Sequence, residues 1–170
     1  MENWTALIRD IPDFPKKGIL FKDITPLLLN PDCFAEIIRE MHNALAGLNV
    51  SAIAAAESRG FIFGAPLAHS LKLPFIPVRK PGKLPAATHS VTYDLEYGQD
   101  TVCIHTDALK PGQRVALIDD LLATGGTAAA MEKLVSMASA SVVTHLFLIE
   151  LSFLEGRKKL AAPVKSFISY

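Results

Sequence analysis

Apolar residues along this chain fall into two kinds of run. Val115–Ile118 is four consecutive apolar residues, Ile53–Ala56 and Phe75–Val78 repeat the pattern, and Val142–Ile149 is a longer, mostly apolar run. Short unbroken runs of this kind predict strands buried on both faces, as in a parallel sheet. Between them the period lengthens. After Asn30-Pro31, apolar residues recur at Phe34, Ile37, Ile38, Met41 and Leu45, with Gly47 placed to stop a helix. Asn supplies an N-cap oxygen and Pro suits the first helical position, where its missing N–H costs nothing. A second helix is predicted from about Phe61 to Leu71, with an irregular first turn because Pro66 cannot donate. A third is predicted over Ala128–Ala138, with Met131, Leu134, Val135 and Ala138 on one face. Strand–helix–strand thus occurs twice, which predicts an α/β fold: a mainly parallel twisted sheet flanked by helices.

Two stretches do not fit the alternation. Ile11–Asn30 is rich in proline and glycine, with Phe14, Ile19, Leu20 and Phe21 interspersed, and reads as an ordered extended loop. Residues 84–106 read as a hairpin excursion outside the core. The chain has 170 residues, half of them hydrophobic, enough for one globular domain with a sizeable core. Acids and bases balance at 17 each and the bases are dispersed, so nothing calls for nucleic acid or a membrane surface. No apolar stretch approaches the roughly 20 residues of a membrane span. Met1-Glu2-Asn3-Trp4 lacks the order of a secretory signal. Cys33 and Cys103 are far apart and suggest reduced thiols in a cytoplasmic protein. The histidines show no zinc-ligand spacing.

The chemistry concentrates where strands are expected to end. Asp119 and Asp120 follow Ile118, and Ala123-Thr124-Gly125-Gly126-Thr127 then leads into the third helix. N–H groups of such a loop, two hydroxyls and a helix N-terminus suit a phosphate dianion. The aspartates suit the hydroxyls of an attached sugar. Helix capping would account for Thr124 and Thr127, but not for two adjacent carboxylates, which repel unless a cation or donor-rich ligand compensates. A nucleotide triphosphatase loop would need a lysine after its last glycine, and a dinucleotide fingerprint would need its glycines before the acid; neither is present. Glu57-Ser58-Arg59-Gly60 occupies a second expected strand end, where Arg59 can offer a bidentate fork to a second anion or simply form a salt bridge. Arg79, Lys80 and Lys83 cluster after a third strand, as a further anion site or as solvated surface. No spacing suggests a nucleophile–base pair, which argues against a Ser or Cys hydrolase.

Residues 115–127 resemble the phosphoribosyl-diphosphate-binding motif of the type I phosphoribosyltransferases. Glu57-Ser58-Arg59-Gly60-Phe61-Ile62-Phe63-Gly64, Val78-Arg79-Lys80-Pro81-Gly82-Lys83-Leu84-Pro85 and Tyr93-Asp94-Leu95-Glu96-Tyr97-Gly98 resemble the adenine phosphoribosyltransferase family in particular. The likeness runs from about Ile8 to about Leu160. It implies the type I phosphoribosyltransferase fold, with a hood over the base at about residues 8–30 and a mobile catalytic loop at about 84–106. It also implies the reaction of adenine with 5-phosphoribosyl 1-diphosphate to give AMP and diphosphate. Asp119 and Asp120 would then orient the ribose, and Ala123–Thr127 would hold its 5-phosphate. Glu57, Ser58, Arg59, Arg79, Lys80 and Lys83 would serve the diphosphate, with a non-proline cis peptide at Glu57–Ser58. Glu96 would be the general acid/base facing purine N7, and Tyr97 would cover the reaction centre. Phe21 would stack on adenine while the backbone near Leu20 reads its Watson–Crick edge. Lys22 stands where the family more often has Arg. The implied cofactor is Mg²⁺, held mainly by substrate near Asp119 and Asp120 with no direct protein ligand, and the implied assembly is a homodimer. A transferase for guanine, hypoxanthine or xanthine, or a non-catalytic phosphoribosyl-diphosphate sensor, would share the sugar-phosphate loop.

Overall fold

A computed structural model describes residues 4–94 and 98–170. The chain divides into two compact units, residues 1–40 and 41–170. In the first unit, β1 (Arg9–Pro12) and β2 (Leu20–Asp23) pair antiparallel, from Arg9 opposite Asp23 to Pro12 opposite Leu20. The expected extended loop over Ile11–Asn30 is therefore partly a ladder, followed by the short helix α1 (Thr25–Leu28). Proline and glycine between the strands mask the pairing locally, and backbone hydrogen bonds restore it. Helix α2 (Pro31–Ala44) starts where expected, with Asn30 Oδ1 accepting from Cys33 N at 3.0 Å. Its buried stripe is Cys33, Ile37, Met41 and Leu45, with Phe34 and Ile38 partly covered.

The second unit holds the sheet. Its elements are β3 (Ala52–Ala56), α3 (Arg59–Leu71), β4 (Phe75–Val78), β5 (Thr88–Asp94), β6 (Gln99–His105), β7 (Arg114–Leu122), α4 (Gly126–Met137), β8 (Ser141–Glu150) and β9 (Val164–Ser169). Five strands lie in the order β4-β3-β7-β8-β9, every neighbouring pair parallel. All five residues of β3 are buried, which is why its sequence shows no polar alternation. One core cluster joins Ala54, Ile76, Val115 and Leu117 of the sheet to Ala130, Met131, Leu134 and Val135 of α4. Truncating a side chain such as Leu134 to alanine would cost about 2–5 kcal/mol.

Three expectations need correction. Helix α3 starts at Arg59, two residues before the expected Phe61, and continues through Pro66. Strand β7 continues past Ile118 to Leu122, so the aspartates lie within the strand rather than after it. Strand β8 stays paired with β7 through Leu122 and Glu150, whereas β3 accompanies β7 only to Ile118. The hairpin of β5 and β6 is not wholly outside the core: Val102 and Ile104 are buried in it, with Val91 and Tyr93 packed against them. Strand β9 was not anticipated, because its sequence alternates weakly and it is placed by pairing to β8. Among the described residues no helix is long and apolar enough to cross a membrane.

Candidate active site

The end of β3 against β7 creates the site. Beyond Ile118 the β3 side of β7 is open to the turn at Glu57–Ser58, whose peptide is cis, and to the first turn of α3. Gly60 permits that approach: a Cβ there would lie 2.9 Å from Asp119 Oδ1 and 3.0 Å from the Ile118 carbonyl oxygen. Arg59 Nε consequently reaches Asp120 Oδ2 at 2.9 Å, and Asp120 is only 3 % exposed. Asp119 is half-buried, and its Oδ1 accepts from Asp120 N at 2.9 Å. Burial, then the charge of Asp120, pushes the Asp119 carboxyl well above the usual carboxylate range. Burial also raises Asp120, although the Arg59 guanidinium pulls it down. The pair is thus short of positive charge and of donors, although a salt bridge already holds one member.

A cavity of about 370 Å³ opens over these residues, lined among others by Ser58, Arg59, Lys80, Asp119, Asp120 and Thr127. Tyr93 and Asp100, which sequence reasoning did not single out, also line it. They are cross-strand partners on β5 and β6. The Tyr93 hydroxyl lies 2.8 Å from Thr127 Oγ1, and burial raises its pKa. Lys80 Nζ pairs with Asp100 Oδ2 at 3.0 Å, which raises the ammonium pKa. No local pattern marks this pair, because the two residues meet only when β5 pairs with β6.

Glu57 is saturated. Its Oε2 accepts from Arg79 Nε and Nη2, both at 3.0 Å, and its Oε1 accepts from Lys80 N. Burial opposes ionisation, but these donors outweigh it and the carboxyl stays below its usual range. Arg79 also donates to the Lys83 carbonyl at 3.1 Å. Glu57 and Arg79 therefore set the turn that presents Lys80, while neither Arg79 nor Lys83 lines the cavity.

The loop 123–127 encloses a second cavity of about 90 Å³ beside Leu117, Met131, His145 and Phe147. Gly125 is the residue before α4 and has φ +79°, a conformation that side chains disfavour. The first N–H groups of α4, from Gly126 onward, have no partner within the helix and carry its positive dipole end. These N–H groups can receive an anion, and the neighbouring aspartates can accept from hydroxyls. Among the described residues no group of three or more His, Cys, Asp or Glu is arranged to hold a metal ion. A cation carried by a substrate's own oxygens would offset both the burial and the Asp120 charge that raise Asp119.

In the first unit, Phe14 and Phe21 meet edge to face with centroids 5.0 Å apart, and Leu20 is half exposed. Lys22 is 7 % exposed and its Nζ lies 2.7 Å from Asp10 Oδ1, its cross-strand partner. Glu96 and Tyr97 lie outside the described residues.

A phosphoribosyl transferase domain matches residues 30–166. The chain is 55% identical over 163 residues to the adenine phosphoribosyltransferase of Ureaplasma parvum, covering 96% of this chain and 94% of that one. It superimposes on the crystal structure of adenine phosphoribosyltransferase from Thermoanaerobacter pseudethanolicus with TM-score 0.97 and 54% identity, over 99% of both chains. It also matches the Saccharomyces cerevisiae enzyme, solved with adenine and an imino-altritol bisphosphate, at TM-score 0.91 and 41% identity, over 96% and 95% of the two chains.

Proposed function

From the premise that this chain belongs to the adenine phosphoribosyltransferase family, we propose how its residues carry out the transfer. The chain is a transferase of purine salvage: adenine and 5-phosphoribosyl 1-diphosphate give AMP and diphosphate. Asp119 and Asp120 take the ribose hydroxyls, whose donors supply what the buried pair lacks. The N–H groups of Gly125, Gly126 and Thr127 and the hydroxyls of Thr124 and Thr127 hold the 5-phosphate, with Ala123 leading into the loop. Arg59 and Lys80 bind the diphosphate. Glu57 and Arg79 fix their turn, and Ser58 and Lys83 flank it. The observation that carries this reading is the single 370 Å³ cavity that gathers Arg59, Lys80, both aspartates and Thr127.

Leu20 and Phe21 recognise the adenine, with stacking worth roughly 1–3 kcal/mol. Lys22, paired to Asp10, supports that hairpin. Glu96 stabilises the change at purine N7 and Tyr97 shields the reaction centre, as a closing loop that excludes water requires. The C1–O bond breaks ahead of attack by N9. Positioning and charge stabilisation supply the acceleration, with no covalent intermediate. Mg²⁺, carried by substrate oxygens beside Asp119 and Asp120, offsets negative charge on the diphosphate when bound. The reading carries with it a homodimer and, with Cys33 and Cys103 as free thiols, a place in the reducing cytoplasm.

The test is to incubate the chain with 5-phosphoribosyl 1-diphosphate, Mg²⁺ and each purine, then measure monophosphate and diphosphate. AMP from adenine with equimolar diphosphate is the expected result. Product from guanine, hypoxanthine or xanthine instead would reassign the base, and tight binding without product would make the chain a sensor.

A further inference from the structure

The wall behind the phosphate loop is built by a segment the reaction does not otherwise use. Gly125 and Gly156 face each other. A Cβ added at Gly125 would strike the Gly156 carbonyl oxygen, and one added at Gly156 would strike the Ala123 carbonyl oxygen and lie 3.1 Å from Gly125 N. Gly125 cannot carry a side chain without displacing the Gly156 backbone, nor Gly156 without displacing that of Ala123. The path of Ala123–Gly125 therefore depends on where Gly156 is held.

Gly156 is held from both directions. Glu150, 5 % exposed at the end of β8, accepts from Arg157 Nε and Nη2. Arg157 Nη1 donates to the Val164 carbonyl and Nη2 to Ser166 Oγ, each at 2.7 Å, and the Ser166 hydroxyl donates to Glu150 Oε2. Upstream, Leu151 N donates to the Leu122 carbonyl at 2.9 Å, just before the phosphate loop begins. Downstream, Glu132 of α4 accepts from Ala161 N at 3.1 Å and from Ala162 N at 2.9 Å. A bidentate guanidinium–carboxylate pair fixes orientation as well as distance, and an ammonium cannot reproduce it. Arg157 itself lines neither cavity.

Resting on the reading that residues 123–127 hold the 5-phosphate, we infer that Arg157, clamped by Glu150 and Ser166, is a positioning residue for phosphoribosyl recognition. It acts through Gly156 on the Ala123–Gly125 backbone. A loop displaced by a fraction of an ångström loses its alignment with the phosphate oxygens, while the adenine residues are untouched.

Arg157→Lys, Gly156→Ala and Ser166→Ala test this by steady-state kinetics and by calorimetry with ribose 5-phosphate. The KM for 5-phosphoribosyl 1-diphosphate should rise roughly tenfold in Arg157→Lys, more in Gly156→Ala and a few-fold in Ser166→Ala. Ribose 5-phosphate affinity should fall in parallel while the KM for adenine holds. Ser166→Ala removes only a hydroxyl and keeps the test open if either other variant fails to fold. Unchanged ribose 5-phosphate affinity in the folded variants, or equal losses for both substrates, would overturn the inference. Thr127→Ala separates the two possible failures. If it too binds ribose 5-phosphate like the parent, the assignment of the phosphate loop fails; if it binds weakly while the clamp variants bind normally, only the clamp fails.

Discussion

Two carboxylate clusters lie toward the carboxyl ends of neighbouring strands, and the protein compensates them in opposite ways. Glu150 on β8 meets the fork of Arg157 and the hydroxyl of Ser166. The Arg157 hydrogen bonds hold its carboxyl below the usual range, and the guanidinium is raised in return. Asp119 and Asp120 on β7, the first half-buried and the second buried, are less well supplied with donors, so burial raises both. A saturated carboxylate has little acceptor capacity left for a ligand. An under-compensated pair gains from any donor-rich sugar or cation that enters, and its burial in the free protein works against folding. On the proposed function, the contrast separates a carboxylate that builds the fold from a pair kept for a substrate.

Charge-neutral substitutions break the contrast from each side. Asp119→Asn should lower kcat/KM for 5-phosphoribosyl 1-diphosphate on the order of a hundredfold or more, read at saturating adenine, because a ribose contact is lost where charge develops. Glu150→Gln should cost about 2 kcal/mol of stability in urea denaturation, because Arg157 loses a charged hydrogen-bond partner. Asp119→Asn should instead stabilise the free protein by about 1 kcal/mol near pH 7, a gain in stability at the expense of function.

The pH dependence sharpens the same comparison. Raised in the folded state above its usual 3.8, the Asp119 carboxyl contributes stability that is fully present below that value and lost as pH rises through the folded pKa. The advantage of Asn at position 119 should therefore vanish below about pH 4. Glu150, lowered from 4.5, contributes stability that is present above that value and lost as pH falls through the folded pKa. The deficit of Glu150→Gln should therefore shrink on acidification. Denaturation midpoints for both variants across pH 3–8 give the two opposite slopes, and parallel slopes would erase the distinction.

What was legible in the sequence follows the same division between local and long-range causes. Ile53–Ala56 and Phe75–Val78 announced their strands because burial on both faces leaves an uninterrupted apolar run. Asn30-Pro31 announced α2 because a cap acts within three residues. The acid pair and the glycine loop were legible as chemistry. What was hidden depends on partners distant in the chain. The extension of β7 is set by pairing with β8, and β9 exists through the same neighbour. Tyr93 and Asp100 join the site only when the hairpin folds beside Thr127. Arg157 sits seven residues beyond Glu150, past one short 3₁₀ turn and inside a second, and no periodicity marks either.

On the proposed function, the backbone following Asp119 and Asp120 grips a phosphorylated pentose. Following the backbone amide resonances of Gly125, Gly126 and Thr127 while titrating ribose 5-phosphate tests it most directly. The expected result is saturable shifts concentrated at those three amides and reversed in competition by 5-phosphoribosyl 1-diphosphate. Saturable binding that leaves them unmoved would contradict it.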